Sequence, residues 1–339
     1  MTTKWADGFE DTAAADLATD YSLVGVPTLV TGRRVGTTAV ACNPGVSVRR
    51  TIGGTEATIF QSAAVNFQSF NATPSAGRHF MRFIEGTTVH LSLFALDNGA
   101  IAVYRGDFVT LLGTSAAFFA LSNWKWLQVK AVISDTVGSV EIRDASGVVI
   151  LALSAIDTRN AGSGYCDTVS LGSTGGTAGN AAYFDDWHVW DGTGTICNTW
   201  TNDTRIDHRL PTGPGNSAQF TSSSGANWSA VDEVTFNTTD YVESATAGQK
   251  DTYAFGDITH SPPSIFSVVM TAVGQKDDAG ARALKLVARS GGADYAGAAT
   301  TLNQGSYTRA VDVREVDPAT GAAWTQTGYN AAEIGFENV

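Results

Sequence analysis

The chain has 339 residues, 43% of them hydrophobic, and a formal net charge of −12. The acidic excess runs through both halves, with 12 basic against 17 acidic side chains over 1–195 and 9 against 16 over 196–339. Neither half therefore has the lysine and arginine surplus that grips nucleic-acid phosphates or anionic membrane surfaces.

A length on this scale predicts two domains. Only 16% of residues are charged, and there are 36 glycines, a composition suited to short strands joined by many turns. The opening MTTKWADGFEDTAAADL is acidic and lacks an apolar core, so it does not read as a secretion signal, and an odd, sparse set of three cysteines fits synthesis in a reducing cytoplasm. No run approaches the roughly 18 apolar residues of a membrane span, and no membrane insertion is expected. The one helix-like piece is 12–19. Strands are predicted at 79–94 and 100–105, joined through Asp97-Asn98-Gly99, whose Asn-Gly pair supplies the positive φ values of a tight hairpin. Further strands are predicted at 124–133, 139–143, 148–153 and 183–190. Strict alternation over 183–190 puts Asp185 and Asp186 on opposite faces of that strand.

A turn at Asp191 to Gly194 sets the domain boundary near 192–198, giving domains of 1–195 and 196–339. The stretch 202–232 reads as polar and turn-rich. Strands then return at 252–256, 264–273, 282–289, 306–314 and 331–336. The fold class expected is all-β, with two β-sandwich, jelly-roll-like domains in tandem.

Chemistry-bearing motifs are sparse. Cys42, Cys166 and Cys197 form no CxxC and fit neither a zinc site nor a disulfide framework. Asp185-Asp186 is the most tempting acidic pair. A glycosidase needs two carboxylates facing one bond, which alternation denies them, so they read as turn hydrogen-bonders or as ligands of a single calcium ion. No other cofactor is expected. The five histidines, His79, His90, His188, His208 and His260, accompany no Gly-x-Ser-x-Gly, and the glycine-rich run 172–179 lacks a P-loop ending. Asn71-Ala72-Thr73 and Asn227-Trp228-Ser229 are glycosylation triplets that matter only on secretion. Exposed rings stack on apolar sugar faces. On that ground Tyr104, with Arg105 and Asp107 beside a turn, and Trp228, in a Ser/Gly-rich loop, are the glycan-binding candidates. Trp124 and Trp126 read as core.

The order of features over 1–195 resembles the concanavalin-like, laminin-G-like jelly roll of bacteriophage virion proteins. The carrying residues are Asp7-Gly8-Phe9-Glu10, Asp97-Asn98-Gly99 with Ala102 to Gly106, and Leu112 to Ser115. Trp124 to Val129, Gly138 to Arg143, Asp157-Thr158 and Tyr183 to Asp186 complete the set. Asp203 to Asp207, Pro211, Val231 to Glu233 and Glu333 to Phe336 resemble a companion domain appended in such proteins. The resemblance implies first and last strands side by side, with Phe9 near Phe184 to Val189. It implies a virion structural role, tail-associated (adhesin, fibre or spike) or capsid-decorating, while the missing catalytic motifs and the facing of Asp185 and Asp186 lead to the expectation that the protein is not an enzyme. The partners would be other virion proteins, copies of itself and host-surface carbohydrate. The rival expectations are a soluble carbohydrate-binding module and a glycan-cleaving enzyme.

Overall fold

The computed structural model describes residues 3–10, 13–14, 17–70, 79–172 and 182–339. They form an all-β chain that divides into two compact units, 2–193 with 198–207, and 194–197 with 208–339. Each unit is a β-sandwich.

One sheet of the first unit is ordered β13 (Val149–Ile156), β12 (Gly138–Asp144), β11 (Lys125–Val132), β6 (Thr58–Phe67), β15 (Ala182–Trp190), β4 (Thr38–Cys42) and β3 (Thr28–Thr31). To β15 is also paired β1 (Thr3–Asp7), with Trp5 opposite Val189 and Asp7 opposite Trp187. The first and last strands thus lie side by side, and Phe9, Tyr21 and Trp187 form one run of packed rings. The facing sheet is ordered β10 (Thr110–Ala117), β9 (Ala100–Arg105), β8 (Thr88–Ala95), β7 (Met81–Glu85), β14 (Thr168–Gly172), β5 (Ser47–Thr51) and β2 (Ser22–Val24). Its pairing register sets Val48, Leu171, Met81, Leu93 and Val103 in one buried row. One residue along each strand, Arg49, Ser170, Arg82, Ser92 and Tyr104 make a parallel row on the opposite face.

The predicted hairpin is present. Gly99 has φ 79°, and the Asn98 side chain accepts from the Ala100 N–H at 3.0 Å. The helix-like piece shrinks to α1 (Leu17–Asp20) among the described residues. Asn71 and most of the run 172–179 lie outside them. All three cysteines are free and buried, and burial pushes the Cys42 and Cys166 thiols up to about 12.

In the second unit the five-stranded sheet is ordered β16 (Pro211–Ala218), β19 (Lys250–Phe255), β24 (Glu333–Asn338), β21 (Ala283–Ser290) and β22 (Ala293–Thr301). Two pairs accompany it, β17 (Thr221–Ser222) with β18 (Val242–Glu243), and β20 (Val268–Gly274) with β23 (Thr308–Arg314). Val268, Met270 and Ala310 from the second pair pack on Leu284, Leu286 and Ala288 of β21, with Trp324 completing the core. A short helix, α2 (Gln326–Asn330), is capped by Thr325, whose side chain accepts from the Gly328 N–H. The polar stretch expected over 202–232 contains β16. Its Pro211 and Pro214 are tolerated because the strand lies at the sheet edge, where missing N–H groups break few ladder bonds.

Residues 198–207 pack with the first unit. The Trp200 ring meets Phe60 edge-on and takes the Arg143 guanidinium on its face at 4.3 Å, while the Thr201 N–H donates to Gln128 at 3.1 Å. No helix among the described residues is long and apolar enough to cross a membrane.

Candidate functional site

A candidate site lies in the second unit, around Trp228. The residues 227–230 make a single 3-10 turn, with no side-chain cap at Ala226. An uncapped turn of this length needs tertiary anchoring to persist, and Asp251 of β19 supplies it. The Asp251 carboxylate is fully buried. One oxygen accepts from the Gln219 and Phe220 N–H groups at 2.6 and 2.8 Å. The other accepts from Asn227 Nδ2 at 2.5 Å and Tyr253 Oη at 3.0 Å. A buried carboxylate with four donors is satisfied, and it ties the chain just before Trp228, at Gln219, Phe220 and Asn227, to the sheet. Burial and this neighbouring carboxylate hold the Tyr253 phenol well above its ordinary range. The Asn227 amide is committed to Asp251 and to the Phe220 carbonyl, so the Asn227-Trp228-Ser229 triplet has no free amide for a glycan.

Trp228 is half-buried and borders a cleft of about 200 Å³. Pro214, Ala218 and Tyr253 supply apolar walls, and Ser217 and Thr252 supply polar edges. The volume is below that of drug-sized pockets and suits a single sugar ring.

Tyr104, Arg105 and Asp107 do not converge. Tyr104 packs among Phe94 and Phe108 on the outer face of its sheet. Arg105 points to the other face, paired with Asp157 and 3.5 Å from Thr110 Oγ1. Asp107 folds back to Arg82, at 2.5 Å.

Asp185 and Asp186 depart from simple alternation. The register of β15 on β6 shifts between Asp185 and His188, and Asp186 has φ 51°. That is a bulge, which inserts one residue and re-aims its neighbours. Both carboxylates consequently reach Arg33: Asp185 accepts its backbone N–H at 2.7 Å, and Asp186 accepts its Nε at 2.5 Å. Asp186 also takes Arg34 Nη1 at 2.7 Å and the Ile206 N–H at 2.7 Å. The oppositely facing pair read from alternation is therefore a converging pair, held by arginine. No group of three His, Cys, Asp or Glu among the described residues is arranged to hold a metal ion.

Beside this pair stands Glu10. Its two oxygens are buried without a hydrogen bond from another residue. Burial first, then the charges of Asp185 and Asp186, push its carboxyl up to about 9. Asp185 is pushed up to about 6 by burial and by Asp186.

Among the histidines, His79 Nε2 lies 3.1 Å from Ser170 Oγ, but its Nδ1 has no partner, so the pair lacks the acid that would orient a catalytic imidazole. Sequence reasoning reached Trp228 as an aromatic in a polar loop. It missed Asp251, which sits in an ordinary alternating strand with no local signal of its role.

No protein-family model and no curated protein matches the sequence. Among solved structures, domain 4 of AbnA, an extracellular GH43 arabinanase from Geobacillus stearothermophilus in complex with arabinotriose, is similar at 11% identity and TM-score 0.37, covering 56% of this chain and 92% of that one. A carbohydrate esterase, vb_24B_21, from the Shiga toxin-encoding bacteriophage phi24B is similar at 16% identity and TM-score 0.36, covering 56% of this chain and 98% of that one. The binding domain of botulinum neurotoxin serotype D is similar at 9% identity and TM-score 0.37, covering 51% of this chain and 43% of that one.

Proposed function

We propose that the protein is a non-enzymatic bacteriophage virion component, of the tail or decorating the capsid, that contacts host-surface glycans through its second sandwich. The observation that carries the glycan reading is the Trp228 cleft, a half-buried indole beside apolar walls on a turn braced by buried Asp251. Sugar rings present apolar C–H faces that stack on an indole. A ring already held in place costs little to order on binding. The virion reading is supported by the order of motifs over 1–195 and by the low-charge, acidic composition.

A glycan array with the wild type, Trp228→Ala and Tyr104→Ala tests the cleft. Trp228→Ala should lose at least about tenfold in affinity, equivalent to ~1.4 kcal/mol, while Tyr104→Ala should bind as the wild type does. Undiminished binding by Trp228→Ala would remove the cleft from the account. Mass spectrometry of purified particles tests the virion assignment, and absence of the chain from particles would overturn it.

A further inference from the structure

The row Arg49, Ser170, Arg82, Ser92 and Tyr104 lies on the face of the first unit's seven-stranded sheet opposite its row of buried aliphatic residues. Arg49 and Arg82 are two strands apart, roughly 10 Å at the backbone, within reach of one small ligand. Between them stands only Ser170, and the far neighbour of Arg82 is Ser92, so no large side chain separates the two guanidinium groups. His79 joins them, its Nε2 3.1 Å from Ser170 Oγ.

Donors outnumber acceptors in this group. Arg82 is 4% exposed and His79 2%. Arg82 Nε, Arg49 Nε and His79 Nδ1 are all buried with no hydrogen-bond partner. The two arginine Nε atoms are donors whichever ring nitrogen of His79 carries its proton. The acceptor paired with the group is Asp107, which takes Arg82 Nη2 at 2.5 Å, while Ser92 Oγ spends its own proton on the Gly106 carbonyl at 2.6 Å. Buried donors without acceptors are rare because each costs the desolvation of the group. Burial, together with the charges of Arg82 and Arg49, holds the His79 imidazole well below its ordinary range, so the positive charge is that of the two guanidinium groups. Arg49 is half-buried and opens the group to solvent.

We propose that this face is an oxyanion site, in which Arg82 Nε and Arg49 Nε close on the carboxylate or sulfate ester of an acidic sugar. Planar guanidinium groups match the geometry of such oxyanions. The sugar part rests on the glycan reading above, whereas the oxyanion site does not, since it lies in the other unit and shares no residue with the Trp228 cleft.

Titration of the 15N-labelled full chain with glucuronate, glucose 6-sulfate and glucose, read on the arginine Nε–Hε signals, tests it. The signals missing from Arg82→Lys and Arg49→Gln identify the two residues. At least one acidic sugar should shift both signals with a saturating curve, and glucose should shift neither. Which acidic sugar does so separates carboxylate from sulfate ester. Arg49→Gln, at the half-buried rim, should weaken binding at least fivefold with unchanged thermal unfolding. Trp228→Ala should bind the acidic sugar as the wild type does, so failure of the cleft and failure of this site give different results. Absence of saturable shifts with both acidic sugars, equal shifts with glucose, or wild-type affinity in Arg49→Gln would overturn the proposal.

Discussion

Glu10 shows what a single side chain imposes on the stability of the first unit. Its carboxyl is pushed up to about 9 in the fold, while an unfolded chain releases that proton near the ordinary glutamate value. The folded state thus holds the extra proton, and stability falls as pH rises from about 4.5 towards 9. Asp185, pushed up to about 6, adds to the decline in its lower part. Glu10→Gln keeps the shape and removes the charge. Chemical denaturation in EDTA-containing buffers should show a flatter pH profile for this variant and a gain on the order of 2 kcal/mol at pH 8. The Gly8-Phe9-Glu10 motif was legible as an opening feature, but its energetic role was not. That role depends on carboxylates more than 170 residues away in sequence, and only the pairing of β1 with β15 brings them close. The Arg49, Arg82 and His79 group was hidden for the same reason, its members being gathered by the register of β5, β14 and β7.

At the scale of elements, turn chemistry was the clearest signal. Asn98-Gly99 specified a hairpin, and Gly99 has the left-handed φ it requires, with the Phe119 carbonyl packed where a Cβ would stand. Gly99→Ala therefore incurs both backbone strain and a steric clash. It should destabilise the first unit by roughly 2 kcal/mol, measured as a lowered denaturation midpoint with an unchanged slope. Strands with alternating large apolar residues, such as 124–133 and 282–289, were read nearly to their ends. Those missed carry small or unusual residues: β6 holds Ser62-Ala63-Ala64, β22 is ADYAGAATT, and β16 contains two prolines. Their strand character comes from neighbours on the sheet, not from the residues themselves. Alternation also failed at Asp186, where one bulged residue reversed the inference about which way two carboxylates face.

At the scale of the molecule, the first unit does not end where its last strand ends. Trp200 covers Phe60, the Thr201 N–H reaches buried Gln128, and the Ile206 N–H reaches Asp186. A fragment ending at residue 195 exposes Phe60 and leaves these acceptors unmet, so it should be less stable than one ending at 207 by on the order of 3 kcal/mol. Equal thermal midpoints for the two fragments would contradict this. The composition made two all-β units legible, but nothing in a polar run such as Thr199 to Asp207 says which unit it covers.

The three cysteines have a consequence for such a chain. Each thiol is buried, and two are held far from ionisation. Thiolate is the species that oxidants and electrophiles attack, so these sulfurs are kept out of exchange chemistry by their surroundings. A chain assembled in a reducing interior and released into air-saturated fluid would then carry the same covalent structure across that boundary, with no cross-linking or scrambling on the way.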